Sequence, residues 1–172
     1  MSLIKDRSRT YLVAAALALL ATLVFVSSAG AIAPVQIILK EPAKDQTFAF
    51  VDNAPTAKKI EGFFPTKISP GDEVIITNHL LENGKMVGKL RTVCTATSPS
   101  SASGESLFIN AHFICEAVYN IGGSSLWANA EVRKGGSRGV ITGGTGKFAN
   151  ARGTVVSTVE KGGETSTITL VE

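Results

Sequence analysis

The chain has 172 residues, 44% hydrophobic and 18% charged, with a formal net charge of +3, a balance that excludes an acidic or low-complexity disordered protein. Lys5, Arg7 and Arg9 against Asp6 account for most of that charge, so 14 basic and 13 acidic residues remain beyond position 31. A domain so near neutrality gives no support to a basic nucleic-acid face.

Residues 1–31 read as an address. A basic start, an apolar run from Tyr11 to Val26 interrupted by Thr22, and Ser27-Ser28-Ala29-Gly30-Ala31 form a secretory signal cut before Ile32. The run is shorter than the ~20 residues of a spanning helix, so no stable membrane span is expected after cleavage and the protein is expected to be secreted, that is, extracytoplasmic. The alternative is an uncleaved N-terminal anchor.

Residues 32–45 are expected to form an arm without regular structure, and residues 46–172 a single β domain. Strands are predicted at 46–51, 72–82, 85–97, 107–120, 124–133, 138–142, 152–160 and 165–171, because β-branched and aromatic runs lie between Asn83-Gly84, Gly122-Gly123, Gly135-Gly136 and Gly162-Gly163. The serine-rich stretch Ser98 to Ser106 is a loop with no chemistry assigned to it.

The turns propose a register. With Asn83-Gly84 at the turn centre, Leu81 faces Met86, His79 faces Gly88, Thr77 faces Leu90 and Ile75 faces Thr92, and all of these point inward. Gly122-Gly123 sets Tyr119 against Leu126, Ala117 against Ala128, Cys115 against Ala130 and Phe113 against Val132. Gly162-Gly163 sets Val159 against Ser166, Ser157 against Ile168 and Val155 against Leu170. The outer face of the second predicted strand, with Val74, Ile76 and Leu80 around Asn78, is then apolar and needs a cover, either the N-terminal segment or another subunit.

Cys94 and Cys115 fall on the inward face of neighbouring strands, and in an exported chain they are expected to be bonded. Their spacing fits no metal pattern, and neither His79 nor His112 lies near them in sequence. No metal and no cofactor is expected.

The polar inward residues are the candidates for chemistry. His79 suits a general acid or base at neutral pH, Tyr119 a hydrogen-bond donor, and Glu73 a rim carboxylate. Thr77, Leu90, Thr92, Phe113 and Leu126 are the candidate ligand-binding wall. Each polar candidate has a plainer reading: His79 satisfied by a carbonyl, Tyr119 a plug, Glu73 solvated at a strand end. His112, Glu116 and Trp127 fall outside.

Gly144-Thr145-Gly146-Lys147-Phe148-Ala149 imitates a dinucleotide fingerprint, yet Arg152 to Glu160 reads RGTVVSTVE, a strand where that motif needs a helix. A phosphate loop fails too, since Phe148 follows Lys147 where a serine or threonine would hold magnesium.

Eight antiparallel strands suit a closed barrel or a sandwich, and the small inward residues Gly88, Ala96, Ala111, Ala117, Ala128, Ala130 and Gly153 suit either a ligand cavity or a filled interior. The stretch GVITGGTGKFANARG, together with GDEVIITNHLLENGKMVGKLRTVCTAT and FICEAVYNIGGSSLWANAEV, resembles the allene oxide cyclase and dirigent superfamily over about the last hundred residues. The resemblance implies an eight-stranded antiparallel up-and-down β-barrel, often trimeric, with an apolar cavity for a lipid-like or phenolic molecule. It also implies a protein that guides the cyclisation or stereoselective coupling of a reactive intermediate, an isomerase-like or dirigent-type activity. Within the motif Gly143, Gly144, Gly146, Phe148 and Gly153 are read as turn and packing residues, and Arg152 as a structural ion-pair or rim residue. No residue-by-residue match to the cyclase's water-binding group or the dirigent acidic pair is found, and the paired cysteines resemble bacterial members. The alternative is a secreted binding or structural protein that keeps only the barrel.

Overall fold

The computed structural model describes residues 34–51, 67–101 and 110–171. The predicted signal, the connection 52–66, residues 107–109 of a predicted strand and most of the serine-rich stretch lie outside the described residues. Among the described residues no helix is long and apolar enough to cross a membrane.

Among the described residues nine strands follow one another: β1 (Val35–Pro42), β2 (Thr47–Val51), β3 (Glu73–Glu82), β4 (Lys85–Ala96), β5 (Phe113–Ile121), β6 (Ser124–Arg133), β7 (Gly136–Gly144), β8 (Arg152–Glu160) and β9 (Gly163–Val171). The sheet order is β1-β9-β8-β7-β6-β5-β4-β3-β2, and β1 also pairs with β3 through Lys40 and Leu81. That pair closes an eight-stranded antiparallel barrel, with no sandwich. β1 and β2 share one place in the ring. β1 lies along β9, the chain then turns through a short 3-10 segment (Ala43–Asp45), and β2 continues along β3.

The expected unstructured arm is therefore a strand. Val35 to Glu41 carries the period-2 pattern of a barrel wall, with Leu39 and Glu41 buried and Ile38 and Lys40 exposed. Pairing with β9 over its whole length orders it.

The hairpin of β5 and β6 has the predicted register, from Ile121 opposite Ser124 to Phe113 opposite Val132. At the last hairpin the turn centre is Lys161-Gly162, so Ser157 faces Ser166 and Val155 faces Ile168. That is a slip of two from expectation, which leaves every side chain on its predicted face.

The hairpin of β3 and β4 is different. Glu82 faces Lys85 and Leu81 faces Met86 as predicted, but Leu80 faces Gly88, leaving Val87 as an extra residue in a bulge. Beyond it the register is odd by one. Asn78 faces Leu90, Ile76 faces Thr92 and Val74 faces Cys94, so the inward set is Leu80, Asn78, Ile76 and Val74. The apolar face thought to need a cover is the barrel interior, and the case for an oligomer built on it disappears. Burying an aliphatic side chain is worth ~1.5–3 kcal/mol, whereas the predicted register would bury Glu73 and His79 and expose three aliphatics. Gly88 fits the bulge because a Cβ there would run into the carbonyl of Asn120 on β5. Met86, predicted inward, is exposed beside it.

Two clusters fill the barrel. Leu39, Leu80, Leu126, Ile141, Phe148 and Ile168 belong to the larger, while Ile68, Val74, Ala96, Phe113 and the two cysteines belong to the smaller. The glycine motif builds one plug. Gly144 packs with its α-carbon face on Phe148, whose ring turns inward after the 3-10 turn Gly146–Phe148. The strand β8 that follows confirms that no nucleotide-binding helix exists at this motif.

Candidate active site

Between the two clusters lies a cavity of about 210 Å³. Leu90, Thr92, Phe113 and Tyr119, singled out in the sequence, all line it, as do Cys94 and Cys115, bonded to each other across β4 and β5. The rest of the wall is mainly Val74, Ile76, Phe48, Ala117, Ala130 and Val132. At the β6–β7 turn the lining includes Arg133 and Lys134, with Arg133 paired to Glu131 at 2.6 Å.

Three predicted site residues point elsewhere. The bulge at Val87 places Glu73, Thr77 and His79 on the outer face, with His79 3.8 Å from Asp45. Leu126 is fully buried in the larger cluster and is not part of the cavity wall. His79→Ala is accordingly expected to leave ligand binding unchanged and to cost under ~1 kcal/mol in a denaturant titration, the scale of an exposed ion pair. Arg152, read as an ion-pair or rim residue, donates to the neighbouring Ala151 carbonyl at 2.8 Å.

The polar end of the cavity comes from residues that sequence reasoning missed. Glu41 on β1 stands opposite Glu164 on β9, so both carboxyls share the inward face. Glu41 is 4% exposed. Ser157 on β8 and Ser166 on β9 form the next inward pair along that wall. The Ser166 hydroxyl donates to Glu41 Oε1 at 2.6 Å, and the two serine oxygens are 2.7 Å apart. Gly163 allows this packing, because any side chain there would strike the Glu41 carbonyl.

Burial, then the Glu164 charge, push the Glu41 carboxyl up to about 7 against a small opposing effect of the Ser166 hydrogen bond. Burial raises Glu164 as well, opposed by its interaction with Ser157. Burial and then Glu41 raise the Tyr119 phenol beyond the ordinary range, while Ser166 and Ser157 interact with its hydroxyl. At neutral pH the site therefore holds a carboxyl that can give or take a proton and a neutral phenol that can donate a hydrogen bond. Among the described residues no group of three or more His, Cys, Asp or Glu could hold a metal ion.

No protein-family model and no curated protein matches the chain. Solved structures do. One is a pyocyanin demethylase, 21% identical with a TM-score of 0.59, the match covering 80% of this chain and 100% of that one. Another is a pterocarpan synthase dirigent protein, 17% identical with a TM-score of 0.47, covering 80% and 81%. The chain shares the barrel fold of the first of these. In this barrel the cavity wall comes from β2 to β7 and the acidic end from β1, β8 and β9.

Proposed function

We propose that the barrel binds a compact apolar molecule with a polar atom at one end and moves a proton on it, with Glu41 as the general acid or base. The observation that carries this is a carboxyl held near neutrality at the end of an otherwise apolar cavity. The cavity lies below the ~300 Å³ of drug-sized sites, which favours a small ligand. Tyr119 donates a hydrogen bond to the same end, and the wall fixes the ligand's conformation and excludes water, the means by which a barrel of this kind would steer cyclisation or coupling. The neighbouring barrel named for demethylating pyocyanin is consistent with small-molecule chemistry in this fold.

The same reading has the protein exported. Residues 1–31 have the pattern of a signal, and a bond between Cys94 and Cys115 persists where thiols are not kept reduced.

Native mass spectrometry of the protein from its producing cells tests the proposal. An apolar adduct is expected on the wild type and on Glu41→Gln, and it should vanish in Ala130→Leu, whose larger side chain enters the cavity. An adduct that survives Ala130→Leu would put the ligand outside the cavity and end this reading.

A further inference from the structure

We propose that Glu41 and Glu164 share one proton through the hydroxyls of Ser166 and Ser157, which form a relay between the two carboxyls. This deepens the reading of the cavity as a site of proton chemistry and rests on it for its consequence.

The geometry is a square on three strands. Glu41 stands opposite Glu164, and Ser166 stands opposite Ser157. Hydrogen bonds join Glu41 to Ser166 at 2.6 Å and Ser166 to Ser157 at 2.7 Å, and Glu164, one inward step along β9 from Ser166, is close enough for Ser157 to favour its carboxylate. Every link both donates and accepts, which a relay requires; a lysine in either serine position could only donate. Two carboxylates this close and this buried cannot both ionise cheaply, so one proton stays with the pair through neutral pH.

The balance of the step follows from the donors. With Glu164 protonated, its hydroxyl donates to Ser157, Ser157 donates to Ser166, and Ser166 donates to the Glu41 carboxylate. Transfer of each proton along its own hydrogen bond leaves Glu41 as the acid and Glu164 as the carboxylate. The net charge is unchanged, and neither solvent nor any co-reactant takes part. If Glu41 protonates one atom of a ligand and Glu164 removes a proton from another, the relay returns the proton to Glu41. The reaction class this favours is an isomerisation by proton shift.

The other ionisable or charged groups lining the cavity do not interrupt the path. Tyr119 on β5 stays protonated, its hydroxyl beside Ser166 and Ser157, and Arg133 and Lys134 stand at the β6–β7 turn with Arg133 held by Glu131.

Carbon-13 NMR of the ligand-free protein labelled in its glutamates tests the relay at neutral pH. The Glu41 and Glu164 carboxyl signals are expected between the acid and carboxylate positions and should move together as pH changes. Ser157→Ala should split them into one acid-like and one carboxylate-like signal, Ser157→Thr should restore the averaged pair, and Tyr119→Phe should leave it averaged. If Ser157→Ala fails to fold, Ser166→Ala makes the same test. Split signals in the wild type, or averaged signals that survive loss of the serine hydroxyl, would overturn the relay. The ligand plays no part in this measurement, so its failure leaves the binding proposal standing, and a missing adduct leaves the relay standing.

Discussion

Glu41→Gln is expected to be more stable than the wild type at pH 8, by up to about 3 kcal/mol. The unfolded carboxyl ionises near 4.5 and the folded one near 7, so between those values the folded chain holds a proton that the unfolded chain has released. Stability from this group is fully present below pH 4.5 and is lost as pH rises through 7. At ~1.4 kcal/mol for each unit of displacement, ionising Glu41 inside the barrel costs about 3 kcal/mol. Glutamine has no proton to lose, and its carbonyl oxygen still accepts from Ser166. Urea denaturation at pH 5 and pH 8 checks this: the wild type should lose stability between the two, and the variant should lose much less. Glu164, also raised by burial, leaves a smaller slope of the same sign. A wild type that gains stability from pH 5 to pH 8 would contradict the burial of this carboxyl. Under the proposed function the same variant should keep its ligand and lose proton transfer by ~10²–10⁴-fold, the usual worth of a general acid or base.

The second large effect is expected from the disulfide. Cys94 and Cys115 are 21 residues apart in sequence and directly paired on β4 and β5. Closing a loop of that length removes unfolded-state entropy worth about 3 kcal/mol. The double variant Cys94→Ala with Cys115→Ala should lose that amount in a denaturant titration, and reductant should lower the stability of the wild type but not that of the variant. The bond also forms part of the cavity wall, so the variant should hold the ligand more weakly. Equal stability with and without the bond would mean that the strands already hold that loop closed in the unfolded ensemble.

How much of this was legible in the sequence depended on where the turns and bulges lay. Gly122-Gly123 supplies the two turn residues between Ile121 and Ser124, so counting outward from it places Tyr119, Ala117, Cys115 and Phe113 correctly. Counting from Asn83-Gly84 works for only two pairs, because a bulge at Val87 lets Gly88 approach β5, and the isolated glycine within the strand is its local sign. The alternation of Val74, Ile76 and Leu80 against Glu73, Thr77 and His79 points to the observed inward face and conflicts with the register that Asn83-Gly84 alone implies. Glu164 was within reach too. Ser166 and Ile168 face inward in the expected pattern, and one further step of period 2 reaches it. Glu41 was harder, since a strand that owes its order to pairing with a partner more than a hundred residues away looks like an arm when read alone.

Among the described residues β1 meets β3 at the seam of the ring through one residue pair, Lys40 with Leu81, and β2 then takes over the pairing with β3 from Thr47 onward. Every other joint around the barrel is a ladder of several pairs. Strain or thermal agitation will find that seam first, and the strand beside it carries Glu41. Breathing of the wall and hydration of the acid are therefore one event: whenever β1 lifts from β3, the carboxyl meets water and reverts toward an ordinary glutamate, so the unusual acidity lasts only while the barrel is shut.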